Sequence, residues 1–251
     1  MSKKLLLNSL SGTTLYVANV AVAFVMSPVY IRALGNRDYG LWELVMSVIG
    51  YMGLLDLGVG TALVRFVAVA DGKANREDLQ KTISTAFVFF SIVAGIASLL
   101  FFLLSNKPEL IAGKETSKIA NLSIVFILLG INACMLFPLQ VFTATLMGIQ
   151  RHYYINCVRL VLLVLNAFLN YFLLQHYIGY GLVVMAIVTP TITLVQFILF
   201  AGAIWLDKTI PPISLKAVTR NKVTEIFSFG GKTAILMVAS RLQNLSVVPI
   251  I

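Results

Sequence analysis

The first candidates for chemistry are charged residues that lie inside long, mostly apolar stretches of the sequence: Asp56, Arg65 and Arg241. A charge at the centre of a bilayer costs about 2.5–3.5 kcal/mol on insertion scales, so a charge kept there is a functional candidate by default. At about 1.5 Å per residue, Asp56 lies about 22 Å along the apolar stretch that begins at Leu41. Arg65 lies about 36 Å along the same stretch, at the headgroups, and Arg241 lies roughly 20 Å into the stretch that begins at Phe227.

Arginine binds phosphate oxygens in bidentate fashion, so Arg241 is a candidate contact for a diphosphate headgroup. Arg65 and Lys232 are further candidates for the same headgroup. An equally good interpretation of Arg241 is an ion pair with an acid elsewhere in the protein. Asp56 and Arg65 are nine residues apart, which places them on opposite faces of a regular helix and predicts that they form no simple ion pair. Asp56 either pairs between helices, which we favour, or takes part in coupling.

Uncharged polar residues add a second set of candidates. Asn166 and Asn170 have i, i+4 spacing and form one polar stripe on a helix. Hydrogen bonding between helices is the favoured interpretation, with sugar binding second, and Gln140 is interpreted in the same way. No nucleophile–base pair and no metal-ligand spacing accompanies them, so the sequence indicates neither an enzyme, a cofactor nor a metal site.

The composition places these residues in a membrane protein. Hydrophobic residues make up 59% of the chain, charged residues only 12%, and the mean hydropathy is +0.93. A soluble domain carries about 25% charged residues, so most of this surface must meet lipid. The net charge of +9 comes from basic residues between apolar runs, which is typical of topology signals rather than of nucleic-acid binding.

Apolar runs long enough to cross about 30 Å of hydrocarbon predict an all-α membrane protein with about seven transmembrane helices. The predicted spans are residues 5–31, 41–70, 82–106 and 119–150, two within 160–206, and one from 227 onwards. Twelve lysines and arginines fall on the side of the N-terminus and five on the other, which predicts a cytoplasmic N-terminus.

The order of the spans predicts a domain organisation. Residues 1–206 form a six-helix N-terminal transmembrane lobe, 207–226 a basic cytoplasmic linker, and 227–251 the first helix of a second lobe. A short echo between Ser11-Gly-Thr-Thr14 and Gly230-Gly-Lys-Thr233 is compatible with a parallel repeat. On this interpretation the chain is the N-terminal part of a longer protein, and it inserts into the membrane without transporting by itself.

The second span carries the most specific motifs. It has a Gly40-x-Trp42 entry, a central Leu54-Leu-Asp-Leu-Gly-Val-Gly60 and an Arg65-Phe-Val-Ala68 exit, and Leu146-Met-Gly-Ile-Gln-Arg151 closes the fourth span. These blocks resemble the polysaccharide (O-antigen) flippase family, within the superfamily that includes the multidrug and toxin extruders. Members usually have about 12 to 14 helices in two six-helix lobes around a central cavity.

The resemblance implies a function as well as a fold. It implies transport of a polyprenyl-diphosphate-linked oligosaccharide across the bacterial inner membrane by alternating access, for O-antigen, capsule or exopolysaccharide synthesis. The implied partners are the lipid-linked oligosaccharide, membrane lipids, H⁺ or Na⁺ as coupling ion, and polysaccharide polymerases or glycosyltransferases, with no nucleic acid.

Two alternatives stay open. One is a cation-coupled multidrug exporter of the same fold, although such exporters generally need an acidic residue in the first helix and residues 5–31 contain none. The other is a non-transporting membrane scaffold for polysaccharide assembly enzymes.

If Arg241 contacts the diphosphate, Arg241→Ala is expected to abolish surface polysaccharide export while the protein stays in the membrane. Export assays with quantified membrane levels measure this. Normal export by a stably inserted variant would remove the headgroup role of Arg241.

Overall fold

The computed structural model describes the backbone of residues 3–52, 56, 58–112 and 121–246 and the side chains of residues 7–51, 56, 58–110 and 121–233. The described part of the chain is helical and contains no strand. Its α-helices are α1 (Lys3–Met52), α2 (Val59–Gly72), α3 (Arg76–Asn106), α4 (Glu109–Ala112), α5 (Leu122–Gly148), α6 (His152–His176), α7 (Gly181–Leu206) and α8 (Arg220–Ser246), with a 3-10 helix at Leu215–Ala217 before α8.

Five of the described helices are long and apolar enough to cross a membrane: α1 over Leu7–Tyr51, α3, α5, α6 and α7. The predicted all-α, multi-pass membrane fold is therefore confirmed. The count of seven crossings and the cytoplasmic N-terminus stay predictions.

Helix α1 consists of two helical segments that meet at Gly35. A straight helix of 50 residues would be about 75 Å long, more than twice the hydrocarbon thickness. Gly35 has φ 79° and ψ 164°, a conformation that side chains with a Cβ rarely adopt, so the helical path is interrupted there. This interruption lies within the polar turn that separates the first two predicted spans.

The second predicted span, 41–70, was wrong as a single helix, because α1 ends at Met52 and α2 begins only at Val59. Gly58 has φ 73°, a left-handed conformation that cannot continue a right-handed helix. The backbone N–H of Gly60 donates a 2.7 Å hydrogen bond to Oδ1 of Asp56. Asp56 thus satisfies one of the unpaired N–H groups at the start of α2, where a negative charge is also favoured by the helix dipole.

Helix α5 forms the centre of the bundle and packs against α2, α3 and α7. Most of its residues are apolar and many are buried, as expected of a helix packed against three others. Helix α1 packs mainly on α6. At its start, Asn8 accepts a 3.0 Å hydrogen bond from the backbone of Tyr153, and the Asn156 amide donates to Ser11 at 3.0 Å. Polar contacts thus join the beginnings of α1 and α6.

The segment between α7 and α8 lies along the beginning of α3. The Gln80 amide donates a 2.9 Å hydrogen bond to the carbonyl of Pro212, and the backbone of Ser214 donates a 3.0 Å bond to the hydroxyl of Ser84. Because α8 begins at Arg220, residues 220–226 of the predicted linker are helical.

Lys222 joins the start of α8 to α3 through an ion pair with Asp78. Its side chain is buried, and its ammonium lies 2.6 Å from a carboxylate oxygen of Asp78 and 2.9 Å from one of Glu225. Burial lowers the pKa of Lys222, but the hydrogen bonds to both carboxylates outweigh burial and leave the pKa above its ordinary value. Lys222 is therefore held as a cation at the junction of α3 and α8.

An ion pair between Asp207 and Arg151 ties the end of α7 to the turn between α5 and α6. The Thr209 hydroxyl donates a 2.6 Å hydrogen bond to Asp207 and is the largest cause that lowers the pKa of this carboxyl; Arg151 lowers it further. We expect Asp207→Asn to destabilise the protein by about 1.5 kcal/mol, the net worth of a charge-assisted hydrogen bond.

The stabilisation by Asp207 is complete above its ordinary pKa of 3.8 and is lost as the pH falls through the lower pKa of the folded state. Thermal unfolding of wild type and Asp207→Asn in detergent between pH 7 and pH 3 measures it, with the exposed Glu109→Gln as control. The difference between wild type and Asp207→Asn should shrink toward pH 3. A difference that is constant over this range would contradict the assignment.

Candidate functional site

A cavity of about 690 Å³ lies between α2, α5, α6 and α8, and we call it the arginine cavity. Its wall combines small and apolar residues with two arginines, one carboxylate and one amide. The lining residues are Asp56, Gly60, Thr61, Val64, Arg65, Ala68, Gln140, Thr143, Ala144, Met147, Arg159 and Phe229.

A second cavity of about 380 Å³ lies between α1, α5, α6 and α7, and we call it the amide cavity. Four amide side chains line it: Asn19, Gln140, Asn166 and Gln196. Gln140, Thr143 and Arg159 line both cavities, so the two spaces adjoin at these three side chains. Arg65 lines only the arginine cavity, whereas the other three amides line only the amide cavity.

Asp56 and Arg65 face the same cavity, so the expectation that they lie on opposite faces was wrong. The expectation assumed a regular helix, whereas α1 and α2 are separate helices and Gly58, just before α2, has a left-handed conformation. The described residues include no ion pair between Asp56 and an arginine. The carboxylate instead accepts a hydrogen bond from the N–H of Gly60.

Arg65 lies over the aromatic ring of Phe229 on α8. The guanidinium carbon is 4.3 Å from the ring centroid, and the ring packs edge-on against Phe66. A cation over an aromatic face gains about 0.5–2 kcal/mol, and the planar guanidinium keeps its N–H groups free to bind an anion. The stacking therefore holds Arg65 at the cavity wall while its donors stay available.

Arg159 was not predicted as a site residue, because it precedes the fifth predicted span in the sequence. Helix α6 already begins at His152, so Arg159 lies about 10 Å inside the helix. Its side chain is partly buried, and within the described part of the chain it has no hydrogen bond and no ion pair. The signal that could have found it is helical spacing, since Arg159, Asn166 and Asn170 follow one another on one face of α6.

The asparagine pair lies along α6 itself. The amide of Asn170, which is buried, donates a 2.5 Å hydrogen bond to Oδ1 of Asn166, while Asn166 lines the amide cavity. Gln140 lines both cavities from the middle of α5. Asn170 therefore orients Asn166, and Gln140 and Asn166 present amide groups to the cavity.

The two remaining headgroup candidates are on α8. Lys232 is exposed and lies one turn after Phe229, whose ring forms part of the arginine cavity. The side chain of Arg241 lies outside the described residues. Of the predicted headgroup residues, Arg65 thus lines the cavity, and Lys232 is close in sequence to Phe229, which also lines it.

The arginine cavity can bind an anion. Its ionisable groups are two arginines and one carboxyl group, and neither arginine has a carboxylate partner among the described residues. Arginine forms paired N–H···O bonds with the oxygens of a phosphate, and these bonds are strongest where water is partly excluded. The amide groups next to it can both donate to and accept from hydroxyl groups.

Comparison with known proteins gives a family and distant relatives. The family model described as "Polysaccharide biosynthesis protein" matches residues 5–250. A Bacillus subtilis (strain 168) protein named "Uncharacterized membrane protein EpsK" is 24% identical over 132 residues, which are 50% of this chain and 26% of that protein. A Shigella flexneri protein named "Putative O-antigen transporter" is 25% identical over 128 residues, 50% of this chain and 29% of that protein. No solved structure matches the chain.

The family match covers nearly the whole chain, so the chain belongs to the polysaccharide biosynthesis protein family. This confirms the resemblance carried by the second-span motifs.

Proposed function

We propose that this member of the polysaccharide biosynthesis protein family works in a flippase that moves polyprenyl-diphosphate-linked oligosaccharides across the bacterial inner membrane. The observation that carries the proposal is the arginine cavity, in which Arg65 and Arg159 have no carboxylate partner among the described residues. An unpaired cation inside a membrane bundle is costly, and a diphosphate would offset that cost. The family description and the name of the Shigella relative support the same class of substrate.

The proposed substrate is divided between the two cavities. The diphosphate binds Arg65 and Arg159, and the sugar hydroxyls bind amides of the adjoining amide cavity, among them Gln140 and Asn166. Because Arg159 lines both cavities, it lies where the diphosphate joins the sugar. A substrate in which a diphosphate is joined to a sugar with many hydroxyl groups fits this arrangement better than a cationic drug, which the arginines would repel.

The proposal also assigns roles to α8 and to the two lobes. Residues 1–206 form one lobe, and residues 207–226 form the linker, of which 220–226 are already the start of α8. The rest of α8 begins a second lobe, whose rocking against the first gives alternating access. Arg241 and Lys232 on α8 are proposed to bind the headgroup during this motion. Asp56 is proposed to respond to the coupling ion, because its carboxylate holds the first turn of α2 next to Arg65.

Deleting the gene tests the proposal in cells. Cells without it are expected to lose surface polysaccharide and to accumulate the lipid-linked oligosaccharide on the cytoplasmic side, and the intact gene should restore export. Accumulation is measured by extracting the lipid-linked sugars and by their accessibility to an added glycosidase. If the deletion stops synthesis of the oligosaccharide instead of its movement, the role is in assembly and the flippase proposal fails.

A further inference from the structure

We infer that the end of the bundle between α7, the α7–α8 segment and the start of α3 is a binding site for an anionic phospholipid with a hydroxylated headgroup. A groove of about 820 Å³ is formed there, and its wall includes Phe142, Phe197, Ala201, Trp205 and Pro211. The rings of Phe142 and Phe197 pack edge-on with centroids 5.1 Å apart and line the groove. The volume and the apolar wall are suited to acyl chains.

The groove adjoins a second, smaller space with a different lining. This space of about 430 Å³ is bordered by Asp71, Asn75 and Thr209. Arg76 and Lys208 line both spaces. Two cations therefore lie at the junction between an apolar groove and a pocket with hydroxyl-binding groups. The groove, the cations and the pocket follow one another in the same order as the acyl chains, the phosphate and the headgroup of a phospholipid.

The charges at the junction are available to a phosphate. Arg76 donates one N–H to the carbonyl of Lys208, which leaves most of its five donors free. The ammonium of Lys208 has no partner among the described residues. The carboxylate of Asp207, which also borders the groove, is already paired with Arg151 and with the hydroxyl of Thr209.

Asp71 selects among anionic lipids. It is the carboxylate among the residues that line the smaller space, which we call the headgroup pocket, and it would repel a second phosphate but accept hydrogen bonds from headgroup hydroxyls. The fitting occupant is therefore a lipid with one phosphate and a polyol headgroup, of which phosphatidylglycerol is the bacterial example.

The mouth of the groove has the properties of a lipid interface. Trp205 is 84% exposed and Leu206 is 75% exposed at the end of α7. Tryptophan is enriched at the headgroup level of membranes, and basic pockets between transmembrane helices bind anionic headgroups. The acyl chains can thus enter from the bilayer while the phosphate stays at the interface, without using either the arginine cavity or the amide cavity.

The headgroup part of the site is tested by native mass spectrometry of the purified chain in detergent, titrated with phosphatidylglycerol or phosphatidylcholine. Wild type should bind phosphatidylglycerol more tightly. Arg76→Gln/Lys208→Gln should weaken that binding by about 30-fold, or about 2 kcal/mol at 1.4 kcal/mol per factor of ten. The control Lys216→Gln/Arg220→Gln removes the same charge from exposed positions outside the groove and should leave the preference unchanged. Equal binding of both lipids by wild type, or an equal loss in the control, would overturn the proposal.

The acyl-chain part is tested with variants that add bulk. A Cβ at Gly202 would meet no atom within 4 Å, so the backbone there has room for a side chain, and the ring added by Gly202→Phe would extend into the groove. We expect at least a tenfold loss of phosphatidylglycerol binding, whereas Gly95→Phe, which is equally open but lies on α3 away from the groove, should have no effect.

A measurement on the wild-type chain avoids any dependence on the variants. Phosphatidylglycerol with brominated acyl chains should quench Trp205 more strongly than brominated phosphatidylcholine at the same mole fraction, because Trp42 is buried and contributes little. Equal quenching by both lipids would indicate unselective lipid contact and would overturn the proposal.

Discussion

Arg159→Gln is expected to lower polysaccharide export about 100-fold while leaving the stability of the protein unchanged or higher. Each charge-assisted hydrogen bond to a phosphate contributes about 1.5–3 kcal/mol, so losing a bidentate pair accounts for a factor of about 100. Arg159 has no hydrogen-bond or ion-pair partner among the described residues, so the variant breaks no such contact there and removes an unpaired cation from the bundle. Loss of transport without loss of stability is the signature of a ligand-binding arginine.

Two further variants make this result specific. Arg159→Lys keeps the charge but loses the planar pair of donors, so partial export is expected. Arg32→Gln removes an exposed arginine of α1 that does not line the arginine cavity, and full export is expected. Export is measured as surface polysaccharide per unit of membrane-inserted protein, and stability as thermal unfolding in detergent. If Arg159→Gln unfolds the protein, or if Arg159→Gln exports normally, Arg159 does not bind the diphosphate.

Gly148→Ala is expected to destabilise the protein by about 1–3 kcal/mol and to reduce transport through the arginine cavity. A Cβ at position 148 would lie 2.5 Å from Cγ1 of Val67 and 3.0 Å from the carbonyl oxygen of Val64. The carbonyl belongs to the backbone of α2, so α2 must move away from α5. That motion displaces Arg65, which lies between Val64 and Val67 and faces the cavity.

Gly95→Ala is the matched control, because a Cβ at Gly95 meets no atom within 4 Å. It is expected to be neutral or to stabilise α3 by about 0.5–1 kcal/mol, the usual difference between alanine and glycine in a helix. Adding Val67→Ala to Gly148→Ala relieves the contacts with the valine side chain and should restore part of the stability. Thermal unfolding measures all three variants. Equal effects of Gly148→Ala and Gly95→Ala on stability would contradict the role assigned to the close approach of α2 and α5 at Gly148.

The membrane class and most helices could be predicted because hydrophobicity alone determines whether a segment lies in lipid. The uncharged run 160–206, for example, contains parts of two helices, α6 and α7, in agreement with the two spans predicted there. The motif blocks around Arg65 and Gly148 were recognised separately, and the structure shows that they pack against each other through Val67.

Positions within the helices could not be predicted in the same way. The start of α2 at Val59 depends on the left-handed conformation of Gly58 and on the hydrogen bond to the Asp56 carboxylate. The hydropathy pattern shows only a continuous apolar run there. The hydropathy pattern places the start of the fifth span after Arg159, the last charged residue before the apolar run, so Arg159 was assigned to a loop. The hydrogen-bonded helix α6 already begins at His152. The position of a cavity depends on which helix faces meet. This is determined by side-chain packing and cannot be inferred from composition.

The central claim is that this protein moves a lipid-linked oligosaccharide past Arg65 and Arg159, and transport in liposomes tests it most directly. Purified full-length gene product is reconstituted with a labelled polyprenyl-diphosphate sugar, and the label reaching the opposite leaflet is followed by its accessibility to a membrane-impermeant reagent. The account predicts movement by wild type and by Arg32→Gln, and about 100-fold slower movement by Arg159→Gln. If wild type moves no label although the same preparation restores polysaccharide export in cells, the protein is a scaffold and the account is contradicted.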